Sequence, residues 1–277
     1  MQDRYVAYAI DITDPDDPRV DNFRNLTNAD RRPDRPGGKG LVIGEGTIVV
    51  ERMAGTRFSP TELLGVPRKL NELQAVLQDK NVPYFCASPE VMAKIVGFHL
   101  NRGVLAVSPR PAPLHYDSVL AGARTIAVLE GIGDHENLGA LFRNAAALKV
   151  DGFLLGPRCS DPLYRRSVRV SMGHVLRIPY ATIDDWGTAL EALAKYDFHT
   201  VALTPQHPSD TLADTIAVPK VAFFLGAEGA GLSETALRAA HRRARIPMTP
   251  GVDSLNVATA GAIAFYERSR LTEQQAK

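Results

Sequence analysis

The chain has 277 residues, 45% hydrophobic and 23% charged, a composition that suits a folded chain with a sizeable core and argues against disorder. With 32 basic and 31 acidic residues the formal charge is +1, which excludes a uniformly basic coat for nucleic acid and leaves only a local patch. Cys86 and Cys159 are too few for a disulfide framework or a four-thiolate zinc site, and no apolar run approaches the ~20 residues that cross a bilayer. The acidic start carries no secretory segment, so the expectation is a cytoplasmic protein with neither membrane nor metal.

In chain order, the polar stretch 31–38 reads as an exposed loop before the apolar run Leu41-Val-Ile43. Strand-like runs at 47–50, 82–85 and 104–107 mix with helical patterns at 68–78 and 89–97, giving a smaller α/β domain over residues 1–107. Ser108-Pro-Arg-Pro-Ala-Pro113 places three prolines within five residues, which forbids helix and discourages pairing, so 108–117 is expected to be a linker. Residues 118–277 then alternate strands (125–129, 152–155, 175–179, 200–203, 221–225, 244–248) with helices (137–150, 186–196, 233–243, 255–271). The strand runs are apolar without strict alternation, as in a parallel sheet covered on both faces.

Nucleotide-binding fingerprints, a helical zinc pair and a nucleophile elbow are all missing from the sequence. Three segments stand out instead. In Glu130-Gly-Ile-Gly-Asp-His-Glu-Asn-Leu-Gly-Ala-Leu-Phe-Arg-Asn144 a strand end leads through a glycine loop into a helix. Arg143 falls about 140° around that helix from Leu138, off the apolar stripe. It is either a solvated charge or a group held out for a ligand, with Asn137 as a candidate helix cap. In Phe224-Leu-Gly-Ala-Glu-Gly-Ala-Gly-Leu232 a strand ends in glycines around one carboxylate, Glu228, where a backbone can approach a ligand closely. In Arg245-Ile-Pro-Met-Thr-Pro-Gly-Val-Asp-Ser-Leu-Asn-Val257 a turn brings Ser254 and Asn256 to a helix start, where Ser254 is a candidate cap.

Taken together, Asn137-Leu-Gly139 with Arg143, Gly226-Ala-Glu-Gly-Ala-Gly231, and Ile246-Pro-Met248 with Ser254-Leu-Asn-Val257 resemble the SPOUT superfamily of RNA methyltransferases. The nearer likeness is to its SpoU (TrmH-like) branch of ribose 2′-O-methyltransferases, over about residues 118–272. The first 107 residues resemble, more weakly, the small substrate-binding domain that precedes many members, through Gly40-Leu-Val-Ile-Gly-Glu-Gly46 and Val49-Val-Glu-Arg52. Departures are Ala227 for the usual Asn, His135 for a common Pro, and Leu148-Lys149 for a common Phe-Gly.

The resemblance implies an α/β fold: a C-terminal parallel-sheet domain tied in a trefoil knot, preceded by a smaller RNA-binding α/β domain. It also implies a homodimer in which the motif-one arginine stands beside the partner's cofactor. The implied cofactor is S-adenosylmethionine, with contacts at Thr204, Gly226, Ile246 and Leu255. Leu225, Ile246, Met248 and Leu255 are compatible apolar walls for an adenine, and Gly226 and Gly231 allow main-chain contact. The implied catalytic set is Asn137, Arg143, Glu228, Ser254 and Asn256. A guanidinium stays protonated in proteins, so Arg143 suits a phosphate clamp better than a base.

For the RNA, Arg158, Arg165, Arg166, Arg169 and Arg177 face a single acid, Asp161, with Tyr164 available for stacking; a solvated helix face is the alternative. The expected activity is 2′-O-methylation of ribosomal or transfer RNA. Base methylation on the same fold and a non-catalytic RNA-binding homologue are the rival readings.

Overall fold

The computed structural model describes residues 7–27, 38–78, 80–206 and 209–275; the polar stretch expected as a loop at 31–38 lies outside them except for Gly38. The chain forms two compact units, Met1–Ala112 with Leu163–Arg177, and Pro113–Pro162 with Ile178–Lys277.

In the first unit the elements are β1 (Tyr8–Ile12), β2 (Leu41–Glu45), α1 (Thr47–Ala54), β3 (Glu62–Gly65), α2 (Pro67–Leu77), β4 (Pro83–Ala87), α3 (Pro89–Val96) and β5 (Val104–Pro109). The sheet order is β1-β4-β3-β5-β2, with β5 antiparallel to both its neighbours. Two expectations fail here. The run at 47–50 is not a strand: it opens α1, because Val49, Val50, Met53 and Ala54 are all buried at helical spacing. The proline-rich seam does not begin at 108 either, since Ser108 and Pro109 pair with Val42 and Leu41. Pro109 is the last residue of β5, a position where a missing N–H does little harm.

The second unit opens with α4 (Tyr116–Leu120), β6 (Thr125–Glu130), α5 (His135–Ala147) and β7 (Gly152–Leu155). Residues 163–177, expected within the C-terminal domain, then group with the first unit, where they form α6 (Arg165–Val170) and a 3-10 turn at His174–Leu176. That turn replaces the strand expected at 175–179, and the next strand starts only after Pro179. Back in the second unit follow β8 (Tyr180–Thr182), α7 (Trp186–Lys195), β9 (His199–Leu203), β10 (Asp210–Thr211), α8 (Leu212–Thr215), β11 (Val221–Gly226), α9 (Glu234–Ala239), β12 (Arg242–Arg245) and α10 (Val257–Gln275).

Its seven strands are all parallel, in the order β10-β12-β9-β11-β6-β7-β8. Alternate residues of each strand meet helices on opposite faces, which is why the strand runs are apolar throughout. On one face Ile126, Val128, Ala222 and Phe224 share a core with Val119 of α4, Trp186 and Leu193 of α7, and Leu237 of α9. On the other, Phe142 of α5 stacks on Phe153 with ring centroids 4.1 Å apart, and Phe223 meets Phe265 of α10 at 6.0 Å. Truncating one of these rings to Ala costs about 3–5 kcal/mol. β12 lies two residues earlier than the run at 244–248 suggested, because Pro247 and Pro250 cannot donate to a ladder.

Candidate functional site

In an open parallel sheet ligands bind beyond the carboxyl ends of the strands. The motif segments lie there, along adjacent strands. Glu130 ends β6 and Gly226 ends β11, while Thr204 and Ile246 come directly after β9 and β12. Thr204 N–H donates to Ala244 O at 3.0 Å, so these two strand ends are tied together.

The three motifs meet at one side chain. The Asn256 amide nitrogen donates to Asn137 Oδ1 and to Glu228 Oε1, each at 2.8 Å. Its Oδ1 accepts from the N–H groups of Ala258 and Thr259 at 3.0 and 3.2 Å, which makes Asn256 the cap of α10. Two cap expectations are thereby corrected. Ser254 is exposed and forms no hydrogen bond among the described residues, so it does not cap the helix. Asn137 does not cap α5: Asp134 does, accepting from Glu136 N–H at 2.8 Å, and Asn137 sits buried inside the first turns.

Arg143 is exposed and makes no hydrogen bond or ion pair among the described residues. Its helix is fixed from the other side, where α5 packs on α10 and Asn144 Nδ2 donates to Ala258 O at 3.1 Å.

The glycine loop after β11 turns back on itself through Gly231 N–H to Ala227 O at 2.9 Å. A Cβ on Gly226 would stand 2.3 Å from the backbone of Gly231 and Leu232, so only glycine lets the loop return so closely. Gly229 and Gly231 have φ of +80° and +70°, and a Cβ on either would meet nothing within 4 Å, so this part of the main chain stays open to a bound molecule. Leu225 is buried, whereas Ile246, Met248 and Leu255 are half-buried. An open glycine main chain beside half-covered apolar side chains fits an adenosyl group with a polar tail. No cluster of metal-ligating side chains occurs among the described residues, and no helix among them is long and apolar enough to cross a membrane.

The residues of the expected basic patch are divided between the two units. Arg158 belongs to the second unit, while Tyr164, Arg165, Arg166 and Arg169 belong to the first. Arg165 is drawn inward: its Nη1 meets Glu45 Oε2 at 3.1 Å with both side chains largely covered, and its guanidinium lies 4.6 Å from the Phe98 ring centre. Arg166 is exposed, and Tyr164 and Arg169 are half-buried.

Glu130, for which the sequence suggests no role, stands at the same strand end. Its buried carboxylate accepts from Trp186 Nε1 at 2.7 Å and from Ser233 N–H at 2.8 Å. The only signal was an acidic residue at the end of an apolar strand.

The model of the SpoU rRNA methylase family matches residues 124–266. An uncharacterized tRNA/rRNA methyltransferase of Mycobacterium tuberculosis is 54% identical over 263 residues, 94% of this chain and 91% of that one. The 23S rRNA (guanosine-2′-O-)-methyltransferase RlmB of Bordetella pertussis is 30% identical over 174 residues, covering 61% of this chain and 71% of its own. The SpoU methyltransferase AviRb of Streptomyces viridochromogenes, solved with AdoMet, has a TM-score of 0.78 at 19% identity, over 93% of this chain and 99% of that one; at this identity the likeness is one of fold.

Proposed function

This chain belongs to the SpoU rRNA methylase family, and we propose that it moves the methyl group of S-adenosylmethionine onto a ribose 2′-hydroxyl of ribosomal or transfer RNA. The observation that carries this reading is the Asn256 amide joining Asn137 and Glu228, which brings segments from three distant parts of the sequence to one strand-end site. RlmB, named as a ribose methyltransferase, supports the ribose over the base.

The cofactor, when bound, supplies a sulfonium-activated methyl group. The open main chain at Gly229 and Gly231, with Leu225, Ile246, Met248 and Leu255, would hold it, and Thr204 and Gly226 would line the strand-end rim. A ribose hydroxyl is a weak nucleophile that needs polarisation and in-line placement. A guanidinium keeps its proton, so Arg143 acts as a clamp on the phosphate beside the target ribose, stabilising alkoxide character as it develops. The proton leaves to a phosphate oxygen or to water. Glu228 and Asn137, oriented by the shared Asn256 amide, fix the ribose and the methionine end of the cofactor, with Ser254 exposed nearby in sequence for the same task.

The same reading includes the trefoil knot in the second unit, a cytoplasmic location and recognition of RNA by the first unit, with Tyr164, Arg166 and Arg169 on its side and Arg158 on the other. It also includes a homodimer formed across α5 and α10. Ile263 and Tyr266 of α10 are 36% and 57% exposed, and Arg143 reaches outward without a partner among the described residues. The deciding experiment maps 2′-O-methyl groups in RNA from cells with and without the protein. Loss of one ribose methylation is expected; loss of a base methylation instead, or no change, would overturn the ribose assignment.

A further inference from the structure

Glu130 lies at the last rung of β6, directly opposite Gly226 in the parallel ladder. It is 5% exposed and has no basic partner among its described contacts. Each carboxylate oxygen instead receives one N–H. Oε1 takes the indole of Trp186, whose ring packs on Phe224 at 4.8 Å, and Oε2 takes the backbone of Ser233. Phe224 leads into the glycine loop and Ser233 leaves it. Glu130 therefore holds the loop 226–232 at its entrance through the ladder and the Trp186–Phe224 contact, and at its exit through Ser233. Burying a carboxylate is costly unless hydrogen bonds replace its water, so apolar packing alone does not account for the residue.

We propose that Glu130 is a positioning residue for methyl transfer, one that sets the loop bearing Glu228 by offering two separate acceptors to Trp186 and Ser233. This rests on the methyltransferase reading given above. The chemistry makes the role separable from simple stability. Glutamine has the same shape but a single acceptor oxygen, so in Glu130→Gln one of the two donors must face an NH2 group. In the double variant Glu130→Gln/Trp186→Phe the indole donor is gone, and the amide oxygen is free to accept from Ser233.

The test uses the full-length protein. S-adenosylmethionine binding is measured by calorimetry, thermal unfolding is followed in parallel, and amide exchange over residues 226–236 is read without cofactor. Glu130→Gln is expected to weaken cofactor binding about tenfold, the loss of one charge-assisted hydrogen bond, and to speed exchange in the loop. The double variant is expected to regain most of both, although it is the less stable protein. Wild-type affinity and exchange in Glu130→Gln, or a double variant that is worse than the single one in proportion to its lower melting temperature, would overturn the proposal. If Glu130→Gln does not fold, Trp186→Phe alone must leave the exchange of Ser233 slow, because Oε2 is untouched; fast exchange there overturns the proposal. A wild-type protein that binds no S-adenosylmethionine would sink the methyltransferase reading, while the exchange data would still judge Glu130.

Discussion

Asn256 bonds to Asn137 through one end of its side chain and caps α10 with the other: Nδ2 donates to Asn137 Oδ1 at 2.8 Å, and Oδ1 accepts from Ala258 N–H at 3.0 Å. Bridge and cap can therefore be separated by one substitution. Asn256→Asp keeps a capping oxygen, and Asp caps as well as Asn. It also turns the donor shared by Asn137 and Glu228 into an acceptor facing a carboxylate. Stability is expected to fall by about 1–3 kcal/mol, the cost of the two bridging hydrogen bonds with the cap retained, whereas methyl transfer falls by about 10²-fold, the scale of misplacement at a reacting centre. Unfolding curves beside a transfer assay check this; proportionate losses in both would leave Asn256 with a structural role alone.

Arg143 contributes nothing visible to the packing, being exposed and unpaired among the described residues. Arg143→Ala should leave stability within about 0.5 kcal/mol of wild type, leave cofactor binding intact and abolish transfer to RNA. Arg143→Lys should restore little, because a point charge does not reproduce the planar fork that meets two phosphate oxygens. Transfer at the wild-type rate in either variant removes Arg143 from the clamp.

Much of this site is legible in the sequence, and the reason is physical. Glycines around a lone carboxylate at a strand end, and polar residues at a helix start, break the apolar pattern where a ligand site must sit, so Asn137, Glu228 and Asn256 stand out. The parallel second sheet follows from strand runs apolar on both faces. What stays hidden depends on contacts far apart in sequence. Nothing around residue 165 announces that Arg165 pairs with Glu45, 120 positions earlier, and so carries residues 163–177 into the first unit. At 47–50 a short β-branched run is ambiguous between strand and helix, and burial of Val49 with Met53 decides for the helix. Glu130 escapes because a buried carboxylate shows its purpose only once Trp186 and Ser233 are beside it.

Outside the site, Arg268 is a buried anchor of the second unit. It is 2% exposed, and its guanidinium donates to the carbonyls of Ile216, Val218 and Pro219 at 2.7–2.9 Å, fastening α10 to the loop before β11. Arg268→Met retains the apolar stem but strands three carbonyls, so a loss of about 3 kcal/mol is expected. Denaturant unfolding measures it. A loss under about 1 kcal/mol would mean that water replaces the guanidinium at those carbonyls.

Acid sensitivity should come partly from His199, whose ring stacks on that of His241 at 5.0 Å. Burial, then the neighbouring His241 and Arg242, hold the pKa of His199 below its ordinary 6.5. A base with a depressed folded pKa binds fewer protons folded than unfolded, so stability rises with pH between the two values. The His199 contribution is complete above 6.5 and is lost as pH falls below it. His199→Phe keeps a stacked ring and cannot ionise. It should flatten the fall of stability as pH drops below 6.5; an unchanged slope would assign the acid sensitivity to other groups.

A site shared between two protomers should be restored by mixing complementary inactive variants. Arg143 points away from the core of its own unit, and the small residues Ala146 and Ala147 on the same helix, half-buried and exposed, permit close approach of a second copy. If the dimer brings Arg143 of one protomer to the cofactor edge of the other, each site has two halves from different chains. Arg143→Ala inactivates one half and Asn256→Ala the other, so each homodimer is inactive at both sites. After subunit exchange, a heterodimer of the two variants has one site with both lesions and one with none. Activity should then rise from near zero toward half the wild-type value per heterodimer, while cofactor binding by the Arg143→Ala subunits is unchanged throughout. Verified heterodimers without activity would place Arg143 and Asn256 in the same site of one protomer, and a monomer in sedimentation at assay concentration would dismiss the dimer.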